Sequence, residues 1–118
     1  MEHWALDEVA LPGRLVREMV HSLYQENQLC QGTLRLRDRK FGPALAQVPT
    51  LAVVNTADEI APLASVQPFL DQMPGRDVRL IQFEGEPGVG LQHLALLAGR
   101  HARAKIWPAI DAWIAAHR

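Results

Sequence analysis

Val53-Val54-Asn55-Thr56-Ala57-Asp58-Glu59-Ile60-Ala61-Pro62 is the stretch whose reading decides the fold. The apolar run Leu51-Ala52-Val53-Val54 ends in a short polar turn carrying an acid. That is the pattern of a buried parallel strand delivering a carboxylate at its C-terminal end, where open α/β sheets place their ligand sites. Val48-Pro49 holds the preceding backbone extended, so the pattern predicts a strand over residues 50–55. Ser65 then caps a helix through Met73 that bears Val66, Phe69, Leu70 and Met73, with Pro68 tolerated in its first turn. Pro74-Gly75 ends the helix and Val78 to Phe83 reads as a second strand. Strand, helix, strand is a βαβ unit, with parallel strands and a right-handed crossover.

The second strand leads into Glu84 to Gly90, a loop with three glycines and a proline, and then to His93 in Gly90-Leu91-Gln92-His93-Leu94. The loop is no phosphate cradle, because neither G-x-G-x-x-G nor G-K-S/T follows a strand. Asp58 and His93 read instead as the acid and the base of a catalytic triad. In acyl transfer the histidine takes the nucleophile's proton while the acid fixes the imidazole's tautomer and stabilises the imidazolium. The third member is missing: Ser22, Ser65 and Cys30 are the only serines and cysteine, and none stands in a G-x-S-x-G elbow. Each residue also has a plainer reading. Asp58 is the kind of turn residue that bonds its own backbone, Glu59 is a competing acid one position along, and His93 could simply pack at a helix N-terminus. Cys30 has no basic neighbour in sequence and reads as a small, partly buried residue rather than a nucleophile.

Outward from this unit the signals are structural. Leu15, Val16, Met19, Val20, Leu23 and Tyr24 paint one stripe of a helix over residues 13–26, between Pro12 and Asn27. Gly32 to Arg37 alternates as a short strand with one wet face, and Arg35, Arg37, Arg39 and Lys40 read as a solvated edge that resists strand addition. Gly42-Pro43 begins a loop. From Leu91 on, Leu94, Leu96, Leu97, Ala102, Ile106, Ile110, Trp113 and Ile114 indicate one or two helices covering one sheet face, with Trp107-Pro108 starting the last. Trp4, Trp107 and Trp113 read as packing rings, and His101 and His117 as surface residues.

Composition bounds the function. The 118 residues suffice for one domain with a real core, divided at 47/48 into a cap-like helix and strand (1–47) and a βαβα segment (48–118). Lys plus Arg number 12 against 13 Asp plus Glu, with no charge asymmetry between the two halves, which speaks against nucleic acid as a partner. The single cysteine excludes an internal disulfide and fits a cytoplasmic setting. No signal peptide or apolar run of about 20 residues is visible. The five histidines show no metal-ligand spacing, so neither metal nor cofactor is expected.

Asp58-Glu59-Ile60-Ala61-Pro62, His93-Leu94, Gly99-Arg100, Trp107-Pro108, Trp113-Ile114 and the early Leu23-Tyr24-Gln25-Glu26-Asn27-Gln28-Leu29 with Gly32 together resemble the C-terminal part of polyhydroxyalkanoate synthases. The resemblance implies an α/β-hydrolase fold and an acyltransferase that links hydroxyacyl groups from coenzyme A thioesters through a cysteine nucleophile. It implies that Asp58 is the orienting acid and His93 the general base, with nothing mapping to the nucleophile. Two departures stand out. Gln92 replaces the glycine that usually precedes the family's histidine, and Cys30 lies in a cap-like segment.

The expected fold class is therefore α/β: a partial α/β-hydrolase fold whose short parallel sheet is flanked by helices, with an N-terminal cap-derived helix. The expected function is the C-terminal portion of such a synthase, its substrate an acyl-CoA or ester, inert on its own. The different-class alternative is a non-catalytic interaction module. Either way, an incomplete sheet leaves an edge through which a homodimer or partner would join. A small hydrolase built on Cys30 is a third option.

Overall fold

The computed structural model describes residues 9–118, so His3 and Trp4 lie outside the described residues. The chain forms two compact units, one ending at Gly42 and one beginning at Pro43.

In the first unit, α1 (Gly13–Met19) widens into a π-helical stretch (Val20–Gln25), so the predicted helix is present with a looser second half. Val16 N–H closes onto Pro12 O at 3.1 Å, which uses the carbonyl of a residue that has no amide hydrogen to lose. The apolar stripe stays accessible, with Leu15, Val16, Met19 and Val20 between 38 and 43 % exposed. α2 (Gln28–Gln31) ends at Gly32 in the left-handed region, φ 70°. There Thr33 N–H reaches Gln28 O and Gly32 N–H reaches Leu29 O, the paired bonds that close a helix end.

β1 (Leu34–Leu36) then pairs antiparallel with β2 (Arg39–Phe41), with Arg35 opposite Lys40. The sequence reading gave β1 but not β2. The charges of Arg39 and Lys40 mask an alternation whose both faces are wet, since all three residues of β2 are exposed.

The second unit carries the parallel sheet. β3 (Thr50–Asn55) and β4 (Val78–Phe83) match the predicted strands residue for residue and pair in parallel, Thr50 opposite Val78 and Asn55 opposite Phe83. Between them lies α3 (Leu63–Asp71), which starts three residues and ends two residues earlier than predicted. Its start is set by Pro62, extended at φ −67° and ψ 158°, and no side chain caps it. Ser65 sits inside the first turn, its N–H closing onto Pro62 O at 2.9 Å. Pro68 consequently lies in mid-helix rather than in the first turn, leaving the carbonyl of Ala64 without its helical donor.

After β4 come a 3₁₀ turn (Gln92–Leu94), α4 (Ala95–Ala98), a π-helical stretch (Ala102–Ile106) and α5 (Trp107–Ala116). The widening lies just before Pro108, which has no N–H with which to close the ladder four residues back. These segments cover one sheet face as expected: Phe83, Ala95, Ala102 and Ile106 form the buried cluster, with Val53, Ile81, Leu96 and Ile110 packed against it. Side-chain alternation puts Val53, Ile81 and Phe83 on that face and Val54 on the other, where α3 packs against β3 and Leu70 is buried. Each large apolar side chain so buried contributes about 1.5–3 kcal/mol. Among the described residues, no helix is long and apolar enough to cross a membrane.

Candidate functional site

Parallel pairing carries the ends of β3 and β4 to the same edge of the sheet, and the two segments singled out by sequence leave from there. Asp58 follows β3 by three residues. Its backbone N–H closes onto Asn55 O at 3.1 Å, and its Oδ1 accepts the N–H groups of Ile60 at 2.8 Å and Ala61 at 3.2 Å. This is the self-bonding turn typical of aspartate after a strand. Only one oxygen is used in it. Oδ2 meets His93 Nδ1 at 2.8 Å, so the turn role and the pairing role coexist in one carboxyl group.

Glu59, the neighbouring acid, is exposed beside this pair. The Asp58 side chain is 6 % exposed and that of His93 42 %. Burial by itself would push the Asp58 carboxyl up. The hydrogen bond from His93 and the two backbone N–H groups outweigh it, and the group lies below the ordinary aspartate value of 3.8. An ionised carboxylate only accepts, so His93 Nδ1 must donate and Nε2 is left free of a proton in the neutral ring. A neutral imidazole held this way is ready to take a proton from another group.

A cleft of about 370 Å³ opens over the pair, lined by Ala57, Asp58, Glu59, Ile60, Gly90, Leu91, Gln92 and His93. A second cleft of about 460 Å³ lies beside the end of β4, lined among others by Glu84, His101 and Lys105.

Three residues support the pair: Asn55 and Glu86 escaped the sequence reading, and Gln92 entered it only as a departure from the family's pattern. Asn55, 1 % exposed, donates from Nδ2 to Gln92 O at 2.9 Å and to Gln92 Oε1 at 3.2 Å. Its Oδ1 accepts Ala57 N–H at 3.0 Å. The Gln92 amide in turn donates to Glu86 O at 2.9 Å and Val89 O at 2.6 Å and accepts Glu86 N–H at 3.0 Å. The loop passes so close that a Cβ on Gly85, whose φ is +95°, would stand 2.9 Å from Gln92 Oε1. Glu86, itself buried, accepts Arg100 N–H at 2.9 Å and His101 N–H at 2.9 Å, satisfying the free donors at the start of the C-terminal helical run. A polar residue ending an otherwise apolar buried strand was the one available signal, since such a group must find partners.

The remaining candidates separate. Cys30 lies in α2 of the first unit and is half-buried. His101 is half-exposed, its Nδ1 3.7 Å from Glu86 Oε1. His117 lies at the surface as expected, but its side chain is 23 % exposed and bonded at both nitrogens. Nδ1 reaches Trp113 O at 2.7 Å, Nε2 contacts Asp77, and the ring stacks on Trp113. Those bonds hold its pKa above 6.5, the Trp113 carbonyl and then Asp77 being the causes, against a smaller opposing effect of burial.

Two proteins, each named poly(3-hydroxyalkanoate) polymerase subunit PhaC, are similar to this chain. That of Haloferax mediterranei is 29 % identical over 115 residues, which cover 98 % of this chain and 22 % of the relative. That of Haloarcula marismortui is 25 % identical over 113 residues, covering 96 % of this chain and 22 % of the relative. The chain thus resembles the C-terminal part of a polyhydroxyalkanoate synthase, as its motifs imply, and spans about a fifth of the length of these relatives. No family model matches the chain and no solved structure matches it.

Proposed function

We propose that this chain is the acid-and-base portion of an acyl-transfer site of the polyhydroxyalkanoate synthase type, built on an α/β-hydrolase fold. The observation that carries the reading is the 2.8 Å contact between Asp58 Oδ2 and His93 Nδ1 at the C-terminal ends of adjacent parallel strands. Asp58 holds the imidazole with Nδ1–H toward itself. His93 Nε2 takes the proton of a nucleophile as it attacks the carbonyl of an acyl-CoA or ester and gives it to the leaving group; it then takes the proton of the hydroxyl that attacks the acyl intermediate and returns it to the departing nucleophile. The nucleophile comes from outside these 118 residues, because no serine or cysteine of the chain stands in an elbow. The isolated chain is accordingly inert. The similarity to two PhaC subunits supports a 3-hydroxyacyl thioester as the substrate class.

The test uses the protein isolated from its native source through this segment. CoA release from 3-hydroxybutyryl-CoA that disappears in a His93→Ala strain is the expected result. Release that is absent from the native protein, or that survives His93→Ala, contradicts the reading.

One observation favours a second reading, an interaction module. Among the described residues no third strand pairs with β3 or β4. Thr50 N–H and Thr56 N–H both turn toward β4, so the backbone groups of Leu51, Val53 and Asn55 turn to the opposite edge. The Asn55 carbonyl is taken by Asp58 N–H, but at Leu51 and Val53 that edge carries no charge and is an open template for another strand, whether from a second copy or from a partner. Sedimentation of the isolated chain as a dimer supports edge association, and a monomer at all accessible concentrations counts against it.

A further inference from the structure

His93 sits on a segment that should wander. The preceding loop holds Gly85 and Gly88 at positive φ, 95° and 76°, and Gly90 follows shortly after. A displacement of about 1 Å would carry His93 Nδ1 out of hydrogen-bonding range of Asp58. Two side-chain amides, the buried one of Asn55 and the half-buried one of Gln92, oppose that displacement. Asn55 Nδ2 donates to the carbonyl of Gln92, the residue before His93, and Asn55 Oδ1 accepts the N–H of Ala57, the residue before Asp58. One side chain therefore fixes the backbone next to both members of the pair. Gln92 completes the hold from the loop side. Its amide makes two donated bonds, to Glu86 O and Val89 O, and accepts two, from Glu86 N–H and Asn55 Nδ2, which uses its whole hydrogen-bonding capacity.

We propose that Gln92 and Asn55 are positioning residues that aim His93 at Asp58 by clamping the glycine-rich loop to the end of β3. The proposal rests on the acyl-transfer reading for its use, but not for its geometry. A purely structural pair would stabilise the loop without altering the state of the histidine; a positioning pair controls which imidazole nitrogen carries the proton. Neither amide touches a reacting atom, so the effect is transmitted through the peptide carbonyl of Gln92 and through Ala57 N–H.

The readout is nitrogen-15 and proton NMR of the full chain at pH 8, where histidine is ordinarily neutral. In the native chain His93 is expected as a single Nδ1–H tautomer with a downfield Nδ1 proton. Gln92→Met keeps the length of the side chain and removes its bonds. With the β3–β4 amide signals retained, the expected result is loss of the downfield proton and a mixture of tautomers. A folded Gln92→Met chain that melts earlier yet keeps the native His93 signal overturns the proposal. Should Gln92→Met fail to fold, Asn55→Ser decides in the same way, because serine can still bond Ala57 N–H while losing both bonds to Gln92. Loss of the signal supports the proposal and its persistence overturns it. In the CoA-releasing native protein, Gln92→Met is expected to lower kcat about 100-fold with KM unchanged. If that protein releases no CoA, the acyl-transfer reading fails while the NMR result still decides the positioning claim.

Discussion

Asp58 and His93 are 35 residues apart in the chain, and Oδ2 of the one meets Nδ1 of the other at 2.8 Å while Oδ1 of the same carboxyl group is fixed by the N–H groups of Ile60 and Ala61. Two backbone donors thus decide which oxygen faces the histidine, and the carboxylate decides which ring nitrogen carries the proton. Asp58→Asn keeps the shape and reverses that choice. With its oxygen still held by Ile60 and Ala61, the new amide presents N–H to His93 Nδ1, which must then accept. The proton moves to Nε2, where it would block the base role proposed for His93. The nitrogen-15 shifts of His93 are expected to switch tautomer in a chain that remains folded, and unchanged shifts would show that Asp58 does not orient the ring.

The same carboxylate gives stability a pH dependence on the acid side. Its folded pKa lies below the value of 3.8 it has when unfolded, so the unfolded chain binds the proton more readily. The stabilisation from Asp58 is complete above pH 3.8 and is lost as pH falls through the lowered value. Thermal midpoints recorded from pH 6 down to pH 2 should fall more steeply for the native chain than for Asp58→Asn. Parallel curves would show that the bonds to His93, Ile60 and Ala61 do not favour the ionised form.

His117 gives the opposite sign. Its folded pKa is raised above 6.5 by the Trp113 carbonyl and by Asp77, so its contribution is complete below pH 6.5 and is lost as pH rises through the raised value. Urea unfolding between pH 5 and pH 9 is expected to show native stability declining across neutrality, and both Asp77→Asn and His117→Gln should flatten that decline. A decline of equal size in Asp77→Asn would mean that the contact across the 40 residues separating the pair is without thermodynamic weight.

Glu86 is a buried acid whose oxygens accept the first free N–H groups of the C-terminal helical run, from Arg100 and His101. Removing it strands those donors and withdraws a negative charge from a helix N-terminus. Glu86→Ala should cost about 1–3 kcal/mol of unfolding free energy. Glu86→Gln, which keeps an acceptor oxygen, should cost less. Equal unfolding midpoints for Glu86→Ala and the native chain would contradict the capping role.

What the sequence made legible follows from range. β3 and β4 emerged to the residue because six-residue segments rich in β-branched and apolar residues, bounded by proline and acids, admit few other structures. Asp58 and His93 drew the eye because each lies in the segment that follows one of these strands, and the structure brings the two together. β2 was missed because Arg39 and Lys40 belong to a strand without a dry face, which periodicity cannot distinguish from a loop. α3 starts at Leu63 because the extended Pro62 sets the first turn, outweighing the capping preference of Ser65. The bond between Asn55 and Gln92 spans 37 residues and that between Glu86 and His101 spans 15. No local pattern encodes either, although the buried polar residue at the end of β3 called for a partner.

The most direct test of the central claim is the rate of CoA release from 3-hydroxybutyryl-CoA by the native protein carrying Asp58→Asn and His93→Ala together, compared with His93→Ala alone. Groups acting as one acid–base unit are not additive. The double variant is expected to be no slower than His93→Ala, while Asp58→Asn alone loses about 10⁴-fold. A double variant slower than His93→Ala by the full Asp58→Asn factor, or single variants as fast as the native protein, would contradict the account.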